Sequence, residues 1–133
     1  ELIFVDDGST DGSGAELVEL KSKAKSPFTV IHFRKNQGKS AVLATGFKYA
    51  KGEKIVMIDA DLQDSPEEIG KLLVKLDEGF DLVVGWRQKR KDPANKIRLS
   101  RLFNTVVAKV GNLNLHDMNC GLKVMRKKVT EEV

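Results

Sequence analysis

Short apolar runs alternate along the chain with segments of helical periodicity. The runs are β-branched or aromatic and span Leu2–Val5, Phe28–Phe33, Ile55–Ile58 and Phe80–Val84. Nearly continuous runs of this kind are typical of strands buried on both faces of a parallel sheet. Helices are predicted over Ala15–Lys25, Lys39–Lys51, Pro66–Glu78 and Lys96–Val110. Strands that alternate with helices in this way predict an α/β fold with right-handed crossover connections.

The composition fits one folded domain. Of the 133 residues, 41% are hydrophobic and 32% are charged, which is enough apolar material for a core. No run approaches the roughly 18–20 apolar residues that span a bilayer. The single cysteine, Cys120, excludes an internal disulfide and fits a reducing compartment.

The net charge of +4 is unevenly distributed. Seven basic residues and one acid lie in the segment Arg87–Arg101, and Lys123–Lys128 contains four more basic residues. We expect both segments to attract phosphates, whether in a ligand, a nucleic acid or a membrane surface.

Adjacent carboxylates follow the first apolar run. Asp6 and Asp7 come directly after Leu2–Val5. Acids, serines and threonines are good helix caps, so a loop that only caps the next helix stays possible. Neighbouring carboxylates repel each other, however, unless a partner with N–H or O–H donors engages them. A nucleotide base or a ribose would be such a partner.

A second acidic segment follows Ile55–Ile58. Asp59 and Asp61 are two residues apart, which places them on the same side of an extended chain. With the amide of Gln63 they form an incomplete oxygen cage for Mg²⁺ or Mn²⁺, which substrate phosphates and water can complete. Capping the next helix needs only Asp64 or Ser65, so capping leaves the other two acids unexplained.

Two other kinds of site lack essential residues. His116 and Cys120 fall short of the four ligands of a structural zinc site. Gly38-Lys39-Ser40 resembles the end of a P-loop, but Phe33 stands where that motif needs a further glycine. The turn at Gly38 still allows close approach of a ligand to a helix N-terminus, which favours anions.

Together these motifs resemble the family 2 glycosyltransferases, which have the GT-A fold. The resemblance is carried by Ile3–Asp11, by Asn36–Lys39 and by Asp59-Ala60-Asp61, which matches the DXD motif. The longer string Asp59–Asp64, with Gly85-Trp86-Arg87 and Asn119–Arg126, is similar to the polyprenyl-phosphate sugar transferases. That group contains the dolichol-phosphate mannose synthases and their bacterial relatives.

The resemblance implies one catalytic domain over residues 1–133, with an α/β, Rossmann-like, mostly parallel sheet and flanking helices. It also implies a strand and a helix ahead of Glu1. We therefore expect the first βα unit of the fold to be missing here, and a sheet edge to be exposed and able to self-associate.

The resemblance also implies a role for each motif. The nucleotide sugar would be bound by Asp6, Asp7, Lys39, Asp59 and Asp61. Asp7 would contact the base, while Asp6 and Asp59 would lie near the ribose. Asp61, with Gln63, would hold Mg²⁺ or Mn²⁺ against the diphosphate, where the cation stabilises the leaving group.

On the acceptor side, Arg87 and Arg101 would flank a phosphate, and Asp117 matches the family's base position. The implied reaction is an inverting transfer of a sugar from a nucleoside diphosphate to polyprenyl (undecaprenyl or dolichyl) phosphate. We expect it to take place at the cytoplasmic face of a membrane, and we expect no nucleic-acid partner. Two alternatives stay open. One is a family member with a sugar-hydroxyl acceptor in polysaccharide synthesis, and the other is a non-catalytic remnant that binds nucleotide.

Overall fold

The computed structural model describes residues 1–86 and 120–132. The described chain divides into two compact units, Glu1–Ile55 with Lys127–Val133, and Val56–Arg126. The helix predicted over Lys96–Val110 lies outside the described residues. Among the described residues, no helix combines the length and the apolar character needed to cross a bilayer.

The first unit is built on a parallel strand pair. Strands β1 (Ile3–Asp6) and β2 (Thr29–His32) pair in parallel, with Ile3 opposite Thr29 and Asp6 opposite His32. Helix α1 covers Ser13–Lys23 and helix α2 covers Lys39–Tyr49. Both predicted strands and both predicted helices are confirmed here. Because the strands are parallel and in this register, their carboxyl ends lie side by side, and the loops that follow them meet.

Close packing positions α2 against β1. A Cβ added at Gly46 of α2 would lie 3.6 Å from Cγ2 of Val5, an ordinary contact distance. The last carbonyls of α2 are capped by the ammonium of Lys127, which donates to Phe47 O and Ala50 O at 2.8 Å each. Helix ends leave such carbonyls without intrahelical partners, and cations near them are stabilising. Lys127 was expected to attract phosphates, but in the structure it stabilises the end of a helix.

In the second unit, a strand that the sequence pattern did not predict organises the sheet. Strand β5 (Lys123–Arg126) lies between β3 (Lys54–Met57) and β4 (Leu82–Val84). It pairs with β4 in antiparallel orientation, with Val83 opposite Val124. The sequence predicts parallel strands, and for the β4–β5 pair this prediction is wrong. The short helix α4 (Lys127–Thr130) follows β5 in the first unit.

The core of the second unit lies between α3 (Ile69–Asp77) and β5. Leu76 and Val124 are fully buried, and α3 lies within the helix predicted over Pro66–Glu78. A 3₁₀ turn, Pro66–Glu68, precedes α3. Arg126 donates to Leu76 O at 3.3 Å and to Phe80 O at 3.2 Å, near the carboxyl end of α3. Two basic residues of the segment Lys123–Lys128, Arg126 and Lys127, therefore bind backbone carbonyls of the protein itself.

Candidate functional site

The loop after β1 is organised around the buried side chain of Asp6. Its Oδ1 accepts hydrogen bonds from the Ser9 amide at 3.2 Å and from the Ser9 hydroxyl. Its Oδ2 lies 2.5 Å from Nδ1 of His32. The Ser9 hydroxyl above all, and then His32, hold the pKa of Asp6 below its usual value against the opposing effect of burial. Both oxygens of Asp6 therefore bind groups of the protein itself.

Asp7 joins this loop to the loop after β2. Its Oδ1 accepts from the Gln37 amide at 2.7 Å, and its Oδ2 accepts from the Gly38 amide at 2.9 Å. Gly38 has φ 88° and ψ 159°, a conformation that is almost restricted to glycine. The two N–H groups would otherwise lack partners just before α2. The carboxylate of Asp7 thereby fixes the turn that begins the helix.

Gly8 brings the backbones of these two loops together. It has φ +71°, and a Cβ added there would lie 2.6 Å from the carbonyl carbon of Lys35 and 2.9 Å from the Asn36 nitrogen. Only glycine allows both the left-handed conformation and this approach. Three of the predicted nucleotide-binding residues, Asp6, Asp7 and Lys39, thus lie in or directly beside these two connected loops.

The acidic segment after β3 forms a turn. Oδ1 of Asp61 accepts from the Gln63 amide at 3.1 Å. Between them, Leu62 has φ 61°, and 95% of its surface is exposed. A leucine in the left-handed region is strained, and such strain tends to occur at functional loops. The predicted metal residues Asp61 and Gln63 therefore belong to one tight, exposed turn.

Asp59 and Asp64 approach a common neighbour, the buried Gly121. A Cβ added at Gly121 would lie 2.6 Å from Oδ2 of Asp59 and 2.7 Å from Oδ2 of Asp64. The thiol of Cys120 also donates to Oδ1 of Asp64 at 3.4 Å. The sequence predicts a helix-capping role for Asp64 and gives no indication of this arrangement. The available signal was the adjacent pair Cys120-Gly121 within one of the family-like motifs.

The donor atoms of this segment fit a cation that needs few protein ligands. In residues 1–86 and 120–132, no three His, Cys, Asp or Glu side chains are grouped closely enough to hold a metal ion. The segment offers carboxylate oxygens, which suit Mg²⁺ or Mn²⁺ when phosphates and water complete the shell. It does not match the four-ligand pattern of structural zinc.

The residues predicted for acceptor chemistry are Arg87, Arg101 and Asp117, and all three lie outside the described residues. The second basic segment is described, and there Arg126 and Lys127 bind carbonyl groups near helix ends. The number of basic residues in a segment cannot distinguish side chains that attract phosphates from side chains that bind backbone carbonyls, because the carbonyl partners are distant in sequence.

Comparison with known proteins identifies the family. The model of the family described as "Glycosyl transferase family 2" matches residues 1–133. The chain belongs to this family. Over 131 residues it is 36% identical to an undecaprenyl-phosphate 4-deoxy-4-formamido-L-arabinose transferase of Pseudomonas fluorescens (strain Pf0-1), covering 98% of the chain and 38% of the relative. A protein of the same name from Salmonella paratyphi B is 34% identical, with 98% and 40% covered.

These relatives confirm the predicted likeness to the bacterial polyprenyl-phosphate sugar transferases. The family 2 chain spans about two fifths of the length of these curated relatives.

Solved structures support the predicted fold. Glucosyl-3-phosphoglycerate synthase from Mycobacterium tuberculosis, in complex with UDP, superposes with a TM-score of 0.69 at 22% identity, covering 97% of this chain and 46% of that one. A mycobacterial protein superposes with a TM-score of 0.70 at 19% identity, with 97% and 43% covered. At these identities the likeness concerns the fold alone, and it confirms the α/β GT-A prediction.

Proposed function

We propose that this chain is a catalytic part of an inverting glycosyltransferase that transfers a sugar from a nucleoside diphosphate to a polyprenyl phosphate. One observation carries the proposal: relatives at 34–36% identity over 98% of the chain are named for transfer to undecaprenyl phosphate. The shared region contains the acidic motifs whose geometry is described above.

The loops of the first unit are suited to bind the nucleoside. Asp7 is anchored by two backbone amides, and each carboxylate oxygen has a second lone pair for a ligand donor. Asp6 is buried with both oxygens engaged, so we assign it chiefly to holding the loop in shape. Lys39, the first residue of α2, adds positive charge where the helix N-terminus already favours anions.

The turn of the second unit is suited to bind the diphosphate through a divalent cation. We assign Asp61 and Gln63 to the cation, as the resemblance implies, and Asp59 to the ribose or to the cation. The carboxylates would hold the cation, and the turn limits the movement of Asp61. When bound, Mg²⁺ or Mn²⁺ would neutralise charge that develops on the leaving diphosphate.

The acceptor chemistry is assigned from the sequence. A phosphate monoester has a second pKa of about 6, so its oxygen is already anionic at neutral pH and needs little help from a base. We assign Arg87 and Arg101 to the acceptor phosphate, and the other cations of that segment to an anionic membrane surface at the cytoplasmic face. Asp117 would act as a base only for a hydroxyl acceptor.

Calorimetry with UDP and GDP, each with and without Mn²⁺, tests the donor assignment. We expect one nucleotide to bind more tightly with Mn²⁺ than without it. Asp61→Asn should remove the Mn²⁺-dependent part of the nucleotide affinity, because it eliminates one of the few charged ligands of the cation. Glu16→Gln, which makes the same charge change on the exposed face of α1, serves as the control. Equal affinities of the unmodified chain with and without Mn²⁺ would contradict the metal assignment.

Transfer to a short polyprenyl phosphate, followed by mass spectrometry, tests the acceptor. Arg101→Ala should reduce transfer much more than it reduces nucleotide affinity. Co-sedimentation with anionic vesicles should weaken as salt rises, because salt screens the attraction. A neutral sugar that proves the better acceptor would replace the lipid-phosphate assignment with the sugar-hydroxyl alternative.

A further inference from the structure

The buried carboxylate of Asp6 has a partner on the neighbouring strand that the proposed donor site leaves without a role. Asp6 ends β1 and His32 ends β2, and the parallel register places the two residues opposite each other. Their side chains therefore leave the strand pair on the same face. Nδ1 of His32 contacts Oδ2 of Asp6, and because an ionised carboxylate only accepts hydrogen bonds, Nδ1 carries the hydrogen. The ends of the two strands are thus joined by a charge-assisted hydrogen bond.

Helix α1 packs against this contact. A Cβ added at Gly14, near the start of α1, would lie 3.1 Å from Nδ1 of His32 and 3.2 Å from Oδ2 of Asp6. The backbone of the helix therefore lies close to the pair, and the imidazole ring has little room to turn on that side. Only 5% of the Asp6 side chain is exposed, whereas 51% of the His32 side chain is exposed. This packing holds Nδ1 on the carboxylate and leaves half of the histidine side chain in solvent.

Asp6 also holds the loop that follows β1. Its Oδ1 accepts from the amide and the hydroxyl of Ser9, and its backbone carbonyl accepts from the Phe33 amide at 2.9 Å. His32 binds the other carboxylate oxygen, and so it resists rotation of the carboxylate group about the Cβ–Cγ bond. The orientation of that group determines where Oδ1 lies, and with it the position of Ser9.

The same loop contains Asp7, the residue assigned to the nucleoside. Asp7 accepts from the amides of Gln37 and Gly38 at the start of α2. Loss of one donor from a buried carboxylate is costly, and the carboxylate of Asp6 would then turn toward another partner. Such a rotation would release the Ser9 contacts and loosen the loop on both sides of Asp7.

We propose that His32 is a positioning residue for the donor nucleoside. Its Nδ1–H fixes the carboxylate of Asp6, and the loop that Asp6 organises holds Asp7 where the nucleoside binds. The inference rests on the proposed function, because the role of Asp7 is assigned there. It adds to the donor site a histidine of the neighbouring strand that acts through a buried carboxylate.

Asparagine and glutamine can each replace one nitrogen of the imidazole. The amide nitrogen of asparagine lies near the position of Nδ1, and that of glutamine lies near the position of Nε2. His32→Asn can therefore still donate to Asp6, whereas His32→Gln offers its donor near the other edge of the ring. His32→Leu offers no donor at either position.

Calorimetry with UDP and with GDP, each in the presence of Mn²⁺, measures the effect on donor binding. We expect His32→Leu and His32→Gln to weaken binding of the preferred nucleotide by about tenfold, which corresponds to one lost hydrogen bond to a charged group. His32→Asn should retain most of the affinity. Lys127→Met is the control, because it removes a contact at the opposite end of α2. It should lower Tm and leave the nucleotide affinity unchanged.

Two results would overturn the positioning role and leave the proposed function standing. One is an affinity that His32→Gln restores and His32→Asn does not, since Nε2 would then contact the ligand directly. The other is an unchanged affinity of His32→Leu. If His32→Leu does not fold, His32→Gln decides, since it keeps a polar side chain of similar length.

Amide hydrogen exchange of the chain without nucleotide tests the same role independently of donor binding. His32→Leu should exchange about tenfold faster than the unmodified chain at the Ser9, Gln37 and Gly38 amides, and His32→Asn should not. Unchanged exchange at these amides in His32→Leu would overturn this proposal alone. An unmodified chain that binds neither UDP nor GDP would overturn the proposed function and, with it, the role of His32 in donor binding.

Discussion

Replacing Gly8 with alanine tests whether the two loops of the first unit depend on close backbone packing. The new Cβ would lie 2.6 Å from the carbonyl carbon of Lys35, 2.8 Å from its Cα and 2.9 Å from the Asn36 nitrogen. These are backbone atoms, so no flexible side chain can move away to relieve the overlap. Gly12 provides a matched control because it also has positive φ, +94°, but a Cβ there would meet nothing within 4 Å.

The two substitutions share one cost and differ in the other. An L-residue in the left-handed region costs roughly 1–2 kcal/mol, and the reduced entropy of the unfolded chain offsets about 0.4–1 kcal/mol of that. Gly12→Ala should therefore lower the free energy of unfolding by about 1 kcal/mol. Gly8→Ala adds steric overlap, for which about 1–3 kcal/mol is typical, so its total should be roughly 2–4 kcal/mol.

Urea denaturation followed by circular dichroism measures the difference directly, and thermal melting provides a second reading. For a chain of this size, each kcal/mol should lower Tm by roughly 4 °C. Gly8→Ala should therefore melt clearly below Gly12→Ala. Equal losses in the two variants would refute the close packing of Gly8 against Lys35 and Asn36, since conformational strain alone would then explain both.

Three further changes have definite expected outcomes. Asp6→Asn should lower stability at neutral pH by about 1.5–3 kcal/mol, the range for hydrogen bonds to a charged group. Folding lowers the pKa of Asp6. The stabilisation by its carboxylate is therefore present above the pKa of the unfolded state, about 3.9, and is lost as pH falls through the pKa of the folded state. The gap between variant and unmodified chain should therefore close below about pH 4 in acid denaturation curves, and a constant gap would contradict this. Leu62→Asn should raise stability by about 0.5–1 kcal/mol in urea denaturation, because asparagine tolerates positive φ and the exposed leucine loses little packing; a loss would argue against strain at that turn. Lys127→Met should lower the free energy of unfolding by about 1–2 kcal/mol and increase amide hydrogen exchange at the end of α2. Lys25→Met, at an exposed position, should change both quantities little. Equal effects of the two variants would exclude the capping role of Lys127.

Periodicity along the chain was enough to predict most of the local structure. The strands β1 to β4 and the helices α1 to α3 form where apolar runs and amphipathic stripes indicated them, because burial of one face is encoded in neighbouring residues. The positions of Asp7 after β1 and of Asp61 after β3 followed in the same way. Family motifs then suggested a nucleotide sugar and a divalent cation as ligands for these acids.

The tertiary structure decided which partner each polar side chain takes. Lys123–Arg126 was interpreted as part of a basic cluster, but Val124 and Met125 are buried in it and make it a strand. Lys127 contacts carbonyls about 80 residues away in sequence, and Asp64 contacts Cys120. The physical reason is the same in each case. The residues next to a carboxylate or an ammonium in the sequence do not indicate its partner. The fold determines which carbonyl, thiol or glycine lies beside it.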